Sequence, residues 1–495
     1  MREGRIGAEA LIDLIAALRR QLDACNKSLD AANKRIKELE DRLGTTPPAK
    51  LDEPFSTRAE EKRQEARGKK KRQRKLKGRR GRVSTEDKIR QAERTEAVFP
   101  EGVSADACWL SHVRPVWRLE NGRAVLIAYQ IYRGPGNRYG QIPGVLGRSD
   151  YGLEIVTAIA FLVYIVGLSF DKVCEILGFF QNLHLRKSQV DKLLYRLSCE
   201  WEHEFELLCT LLANSLVVHA DETSWSLNSV WAFLSEKARV LLHGVHKDAA
   251  TLEKILNPAS FAGIMISDDA AVYGNFSTLQ KCWAHLLRKA IKLTLQDPDN
   301  AEYRMFTDRL LEIYREACRV QRDKRLSDEG RRRKVSELED ELIELCWPMW
   351  VADLPPLEGL EDDYRRLTNE IVRLLLSDQL FTFVTAPPTE QPNGTTKPVD
   401  GTNNEAERTL RGAAQARVTG RTNKTLKGAR RQTIVTSVLE SLRLYLPSFT
   451  LSTVLDELQR WWETGRSCFA ELVEKFGYAP PKTPVIDQLL PGPSG

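Results

Sequence analysis

Two apolar stretches that end in acidic residues restrict the fold of this chain more than any other feature. Residues 215–225 (SLVVHADETSW) and 261–269 (FAGIMISDD) each have the composition of a buried strand and then turn abruptly to carboxylates. A strand interior cannot bury such groups unpaired, so both strand ends are expected to share a use at one edge of a sheet. Divalent metal binding is the simplest use, since hard cations prefer several oxygen ligands.

Further strands and a helix fill the interval between these stretches. Residues 229–237 (SVWAFLSEK) and 238–246 (ARVLLHGVH) follow after short turns, which predicts an antiparallel meander over 215–247. A short helix is predicted at 248–256, and the mixture indicates the α/β class. Adjacent side chains of a strand point to opposite faces, so Asp221 and Glu222 cannot both face one pair of metal ions.

A third group of acids lies within residues 401–422 (GTNNEAERTLRGAAQARVTGRT). Asn403 or Asn404 caps a predicted helix, and Glu405 and Glu407 fall in its first turns. A row of cations follows, consisting of Arg408, Arg411, Arg417, Arg421, Lys424, Lys427, Arg430 and Arg431. This order suits a site that holds metal ions together with a nucleic-acid backbone. The alternative is an exposed charged helix with ordinary intrahelical ion pairs.

The first 45 residues carry a heptad pattern. Apolar residues recur in steps of four and three, at positions 11, 15, 18, 22, 25, 29, 32, 36, 39 and 43. We predict a coiled coil over 1–45 that forms a homo-oligomer, because an isolated helix of this length gains little without a partner. A single amphipathic helix packed on the body of the protein is the alternative.

A basic segment over 46–90 is predicted to be a flexible linker. Its residues 62–82 contain thirteen Lys or Arg and one Glu, whereas the whole chain carries a net charge of only +6. Lys69, Lys70, Lys71 and Arg72 are expected to neutralise DNA phosphates, with an affinity that falls steeply with salt. A solvated linker without a ligand is the alternative.

A small β-rich module is predicted at 91–150. The stretch VWRLENGRAVLIAYQIYR (116–133) forms two alternating strands around Glu120-Asn121-Gly122. Cys108 and His112 resemble part of a degenerate zinc-binding element, but two ligands are not four, and no zinc is expected. The nine cysteines of the chain are scattered singly, which indicates the reduced thiols of a cytosolic protein.

The pattern from 151 to 212 is helical. Leu168-Ser169 is expected to open one helix and Lys187-Ser188 another, with Asp191 three residues after Ser188 as in a capping box. The pair matches a helix-turn-helix that would place its second helix in DNA, although most helix pairs bind nothing. The longest apolar run, 155–170, is too short and mixed to span a bilayer, and the N-terminus lacks a signal-peptide core, so no membrane contact is expected.

Four motifs follow one another in a fixed order along the chain. They are HADETSW (219–225), SDDAAVY (267–273), KCWAHLLRK (281–289) and NNEAERTLR (403–411). Together they resemble the insertion-sequence-66 family of bacterial transposases, and the coil, the basic segment and the helical segment extend the resemblance over nearly the whole chain. The family usually carries a cysteine-rich element before the helical segment, where this chain has only Cys108 and His112.

The resemblance implies a fold and a set of catalytic residues. It implies a ribonuclease-H-like core over 213–440 with a helical insertion at about 300–380, followed by a C-terminal helical segment over 441–495. Asp221, Asp268 and Glu407 would be the catalytic residues and would bind two Mg²⁺ or Mn²⁺ ions. The rival assignments are their neighbours Glu222, Asp269 and Glu405. Cys282 and His285, which form a C-x-x-H element, are expected to pack near the site.

The resemblance also implies partners and an activity. The partners would be the DNA of the element ends and of the target, with phosphates held by Arg408, Arg411, Arg417 and Arg421. The activity would be metal-dependent cleavage and strand transfer of an insertion sequence, in the cytoplasm and at the bacterial nucleoid. Whether accessory proteins of the same element take part stays open. The alternatives are a repurposed, inactive DNA-binding protein and a plain nuclease of the same fold.

Overall fold

The computed structural model of the protein describes residues 83–350 and 359–491, together with Lys27 and Lys34. The predicted coiled coil and nearly all of the predicted basic linker, including Lys69, Lys70, Lys71 and Arg72, lie outside the described residues. The described chain falls into two compact units. We call residues 283–385 the inserted unit and residues 83–282 and 386–491 the main unit.

The main unit begins with a short helix and a small sheet. The helix α1 (Thr85–Arg90) is capped by Ser84, whose hydroxyl accepts the Asp87 N–H at 3.0 Å. The prediction of a flexible linker as far as residue 90 is therefore wrong for these last residues, because a capped helix already begins there. The strands β1 (Arg94–Val98), β2 (Trp109–Glu120) and β3 (Arg123–Arg133) form a sheet in the order β1-β3-β2.

The strands β2 and β3 form the hairpin expected around Glu120-Asn121-Gly122. Asn121 and Gly122 both adopt positive φ angles, 50° and 78°, as a two-residue turn of the favoured hand requires. Cys108 donates its thiol hydrogen to the Ser104 carbonyl at 3.4 Å, and the His112 ring contacts the Ser111 hydroxyl at 3.2 Å. Within residues 83–350 and 359–491 neither side chain belongs to a cluster of three metal-binding groups.

Four helices follow, and they pack in one apolar core with the central sheet. They are α2 (Leu153–Ala160), α3 (Phe170–Gln181), α4 (Lys187–Glu200) and α5 (Glu202–Ala213). The apolar run 155–170 is α2 continued by a π-helical turn over Phe161–Ile165. In the described part of the chain, no helix combines the length and the apolar character needed to cross a membrane.

The N-terminal caps of α3 and α4 test two predictions, of which the first is confirmed and the second is wrong. Ser169 caps α3, and its side chain accepts the Lys172 N–H at 3.3 Å. Ser188 does not cap α4, because the helix begins one residue earlier and the Gln189 side chain accepts the Arg186 N–H at 2.9 Å. Asp191, expected in that capping box, instead pairs with the buried Arg431 at 2.5 Å.

A five-stranded sheet forms the centre of the main unit, in the order β6-β5-β4-β7-β8. Its strands are β4 (Val217–Ser224), β5 (Ser229–Ser235), β6 (Arg239–Val245), β7 (Ile264–Ser267) and β8 (Leu279–Lys281), with the helix α6 (Ala249–Ile255) between β6 and β7. The first three are antiparallel, as predicted for 215–247, and β7 and β8 run parallel to β4. The carboxyl ends of β4, β6, β7 and β8 therefore lie at one edge, which we call the carboxyl edge.

The inserted unit is helical. Its helices are α7 (Trp283–Gln296), α8 (Ala301–Arg322), α9 (Asp328–Trp350), α10 (Gly359–Leu376) and α11 (Thr382–Thr385). Aromatic side chains pack between them, as where Trp283 lies 5.4 Å from Phe381 and its indole N–H donates to the Leu380 carbonyl at 2.7 Å. The charged helical insertion predicted at about 300–380 lies within this unit.

The chain then returns to the main unit. A two-stranded ribbon of β9 (Thr389–Glu390) and β10 (Thr396–Lys397) precedes five helices. These are α12 (Asn404–Val418), α13 (Leu426–Tyr445), α14 (Leu451–Thr464), α15 (Cys468–Phe476) and α16 (Val485–Leu489). Helices thus occupy much of the segment 441–495, where helical structure was predicted.

The helix α13 covers the open edge of the sheet with hydroxyl groups. Thr433, Ser437 and Ser441, spaced four residues apart, accept the backbone N–H groups of His243, Leu241 and Arg239, each at 2.9 Å. These N–H groups belong to β6, which is the outermost strand. A helix therefore supplies the acceptors that a further strand would have offered, and the edge is closed to pairing with another chain.

Replacement of Ser437 by Ala is expected to destabilise the main unit by about 1–3 kcal/mol, because the buried Leu241 N–H would lose its acceptor. The neighbouring Thr436 is a matched control, since its buried hydroxyl has no hydrogen-bond partner among the described residues. Thr436→Val should be neutral or stabilising. Chemical denaturation measures both free energies of unfolding, and equal losses for the two variants would contradict this description of the sheet edge.

Candidate metal centre

Two aspartates meet at the carboxyl edge because Asp221 lies within β4 and Asp268 directly follows β7, the parallel strand beside it. The pairing of β4 with β7 places Val217 opposite Ile264 and His219 opposite Ile266. Continued by two residues, the same register brings Asp221 opposite Asp268. Adjacent strands lie about 4.8 Å apart, so the two carboxyl groups are direct neighbours.

The helix α12 brings a third carboxyl group to these two. Asn403, the fully buried residue that precedes α12, donates its side-chain amide to the Ala220 carbonyl at 2.8 Å. Its backbone N–H donates to the Cys282 sulfur at 3.1 Å. The start of the helix is thus tied to the residue before Asp221 and to the residue after β8. Glu407 lies one turn further on, with a carboxylate oxygen within 4.8 Å of the Cys282 sulfur.

The electrostatics of Asp221 show that these acids are close together. Burial is the largest cause that raises its pKa, to about 7, and the charges of Glu222, Asp268 and Glu407 raise it further. The Glu222 N–H, which donates to Asp221 Oδ1 at 2.9 Å, opposes this shift. A buried carboxyl group beside three other acids loses its proton readily only when a nearby cation offsets the added negative charge. Among the described residues Asp221 and Asp268 form no ion pair.

The two rival glutamates are already held by cations. The Glu222 side chain is only 1% exposed, pairs with Lys247 at 2.7 Å and accepts a hydrogen bond from the Tyr273 hydroxyl. Glu405 pairs with Arg239 at 2.7 Å and with Lys397 at 3.0 Å. Burial alone would raise the pKa of Glu405, but Lys397 and Arg239 outweigh it and lower the pKa.

A helix turns by about 200° over two residues, so Glu405 and Glu407 face different directions. The first faces β6 and the ribbon, and the second faces Cys282 and Asp221. The third rival, Asp269, is exposed, whereas Asp268 is half-buried. These positions favour Asp221, Asp268 and Glu407 over the three rivals.

A second group of possible ligands has a different character. Ligand atoms of His219, Asp400 and Glu405 lie within 4.8 Å of one another. The Lys397 ammonium, 3.1 Å from Asp400 and 3.0 Å from Glu405, already bridges the two carboxylates. This cluster is an ion-pair network that holds the ribbon to α12.

The cations predicted to hold DNA differ in what they contact. Arg408 and Arg411 are exposed on α12, and within the described residues neither forms an ion pair. Arg417 donates to the Ser224 carbonyl at 2.9 Å, and Arg421 donates to the Gly167 carbonyl at 3.2 Å. The row of cations therefore includes two arginines whose side chains are already hydrogen-bonded to backbone carbonyls of the main unit.

The last cations of that row are structural. Arg430 pairs with Glu202 at 3.2 Å and with Asp487 at 2.7 Å. Arg431 is buried, donates to the Tyr164 hydroxyl at 2.6 Å and pairs with Asp191. Inclusion of these two arginines in a surface for DNA was wrong, because acids on other helices of the same unit already pair with both of them.

The C-x-x-H element divides between the two units. Cys282, at the end of β8 in the main unit, is buried beneath the start of α12. His285 lies on α7 of the inserted unit.

Within the main unit, sequence reasoning missed Lys247 and Lys281. Lys281 is buried and donates to the Asp268 carbonyl at 2.8 Å, which fixes the backbone of that aspartate. Each lysine lies at the end of a strand or two residues beyond it, and this position in the sequence could have identified both as candidate site residues.

Comparison with known proteins identifies a relationship. A model of the transposase IS66 family, where IS66 denotes insertion sequence 66, matches residues 148–431, which is more than half of the chain. The match includes Asp221, Asp268 and Glu407. No curated protein matches the chain.

The raised pKa of Asp221 predicts how the stability of the metal-free protein depends on pH. The stability contributed by this residue is present below its ordinary pKa of 3.8 and is lost as the pH rises towards about 7. Asp221→Asn should therefore raise the melting temperature relative to the wild type, and the difference should grow between pH 5 and pH 8.

Thermal melts in a chelating buffer measure this difference, and Asp456→Asn on the exposed face of α14 is the control. Addition of Mg²⁺ should stabilise the wild type and not Asp221→Asn, because only the wild type gains a ligand. A melting difference that is the same at pH 5 and pH 8 would contradict the burial of an ionisable group at this position.

Proposed function

Because the chain belongs to the transposase IS66 family, we propose that it cleaves DNA at the ends of an insertion sequence and transfers the cut strands to a target. Asp221, Asp268 and Glu407 would be the catalytic residues. The observation that carries this proposal is the convergence of the three acids, in which Asp268 and Glu407 both raise the pKa of the buried Asp221. A buried acid that lies beside two further acids is expected to be compensated by a cation, because a buried charge is paired or bound to a metal ion.

The topology of the central sheet supports a ribonuclease-H-like core. Such a core has three antiparallel strands followed by two strands parallel to the first, and the order β6-β5-β4-β7-β8 agrees with it. In chain order, the first acid lies within the first strand of this sheet and the second directly follows the fourth strand, and the third acid lies on a helix after the inserted unit. This arrangement agrees with the fold that the family resemblance implies.

The donor set fits Mg²⁺ or Mn²⁺. All three side chains offer carboxylate oxygens, which hard divalent cations prefer. Bound there, two such ions would supply activation of the attacking oxygen and stabilisation of the leaving oxygen. The chain itself would hold Asp221 and Asp268 in register through β4 and β7 and hold Glu407 through the anchored start of α12. No protein nucleophile is needed for this chemistry.

The arginines of α12 are the proposed contacts for DNA near the centre. Arg408 and Arg411 are exposed on the helix that carries Glu407, and the side chain of Arg417, on the same helix, donates to the Ser224 carbonyl at the end of β4. The pair α3 and α4, together with Lys69, Lys70, Lys71 and Arg72, would add contacts further along the DNA. A transposase of this kind would act on DNA in the cytoplasm, and oligomerisation through residues 1–45 stays a prediction.

Substitution of any one catalytic residue should abolish cleavage and leave DNA binding largely intact. Asp221→Asn, Asp268→Asn and Glu407→Gln each remove a metal ligand while changing little volume. The assay is Mg²⁺-dependent nicking and joining of DNA that carries the element ends, with binding measured by fluorescence anisotropy in a chelating buffer. Glu253→Gln, an exposed acid on α6, is the matched control and should keep full activity.

The outcomes of this assay separate the alternatives. Full activity of one catalytic variant refutes the role of that residue, and activity lost in Asp269→Asn but kept in Asp268→Asn would reassign the second acid. Hydrolysis of DNA without joined products would indicate a nuclease. Binding without Mg²⁺-dependent cleavage by the wild type would indicate a repurposed DNA-binding protein.

A further inference from the structure

Lys247 lies at the carboxyl edge, although it follows a strand that carries no acid. Both β4 and β6 pair antiparallel with β5, so they run in the same direction and end at the same edge. Lys247 comes two residues after the end of β6, in the loop that leads to α6. Topology alone therefore puts this ammonium group beside the ends of the strands that carry Asp221 and Asp268.

The position of the ammonium is defined by a buried acid. Lys247 Nζ lies 2.7 Å from Glu222 Oε1, and the other oxygen of Glu222 accepts a hydrogen bond from the Tyr273 hydroxyl. Tyr273 is fully buried, and the Glu222 side chain is only 1% exposed. Glu222 is thus a fixed acceptor that holds the ammonium in one place.

The lysine side chain is largely open to solvent. Its side chain is 58% exposed, in contrast to the buried Lys281, which donates inward to the Asp268 carbonyl. The Glu222 hydrogen bond raises the pKa of Lys247, and the charges of Asp268 and Asp221 raise it further. The group is therefore a cation that lies near both aspartates and remains open to a ligand.

The chemistry of an ammonium group suggests which ligand it takes. An ammonium carries three N–H donors, and among the described residues the only ion pair of Lys247 is the one with Glu222. The remaining donors suit a second anion that approaches from solvent. At a centre that binds DNA, this anion would be a phosphate of the backbone.

We infer that Lys247 is a phosphate-binding residue of the active site, held by Glu222 and Tyr273 so that its ammonium contacts a non-bridging oxygen of the DNA phosphate at Asp221 and Asp268. This role rests on the proposed function. It also assigns a purpose to the second acid of the D-E-T motif, which positions Lys247 and does not bind metal.

A purely structural role makes a different prediction. If Lys247 only neutralises the buried Glu222, loss of the lysine leaves an unpaired buried charge, and removal of both charges should restore the protein. If Lys247 binds phosphate, removal of both charges should restore stability but not the rate of cleavage. The double variant Glu222→Gln/Lys247→Met separates these two roles.

The experiment measures single-turnover cleavage of DNA carrying the element ends at saturating Mg²⁺, alongside thermal melts of each full-length variant. Lys247→Met should lower the rate on the order of 10²-fold, and Lys247→Arg should recover part of it, because a cation is retained. The double variant should melt like the wild type yet cleave as slowly as Lys247→Met. Lys254→Met, on the exposed face of α6, is the matched control and should cleave at the wild-type rate.

Two outcomes would overturn the inference. One is an unchanged rate in Lys247→Met, and the other is a wild-type rate in the double variant, which would leave Lys247 a structural role only. Failure of the proposed function is distinguishable, since the wild type itself would then show no Mg²⁺-dependent cleavage and the phosphate-binding role would fall with it.

Discussion

Ionisation of Asp221 is opposed by its burial and by the charges of Glu222, Asp268 and Glu407, and the arrangement of the carboxyl edge follows from this conflict. Nothing in the sheet requires an acid at this position, because the pairing of β4 would be satisfied by any residue. An acid placed there raises the free energy of the metal-free fold unless a cation compensates it. A carboxyl group kept in such surroundings is best explained by a bound cation.

The acids beside the proposed centre are paired with cations of the protein itself, whereas, among the described residues, the two aspartates of the centre are not. Glu222 is paired with Lys247 on one face of β4, and Glu405 is paired with Arg239 and Lys397 beside α12. Each of these acids has its own cation, whereas Asp221 and Asp268 have none among the described residues. Arg408 and Arg411, which form no ion pair among the described residues, are exposed on α12 where a polyanion can reach them. The division agrees with a protein that binds metal ions and DNA together.

The sequence predicted that the acids of two apolar stretches share one edge of a sheet, and the structure places Asp221 within β4 and Asp268 directly after β7. The parallel pairing of these two strands was not predicted. It could not choose between Glu405 and Glu407, since the cation that takes Glu405 comes from Arg239, on a distant strand. Ser188 was wrongly assigned as a cap because the helix begins one residue earlier, and Asp191 pairs with Arg431 from α13, a partner distant in the sequence. Lys247 went unnoticed because its pairing with the buried Glu222 is not visible in the sequence, although the predicted meander already set the direction of β6. The coiled coil and the basic linker stay predictions.

Metal binding in the absence of DNA tests the central claim most directly. Mn²⁺ can be titrated into the full-length protein and the free ion followed by electron paramagnetic resonance, with proton release recorded at pH 7. The account predicts that the wild type binds Mn²⁺ with release of protons. It also predicts that Asp221→Asn, Asp268→Asn and Glu407→Gln each weaken binding by at least about tenfold, a loss of roughly 1.4 kcal/mol. Equal Mn²⁺ affinity in the wild type and all three variants would contradict a shared metal centre.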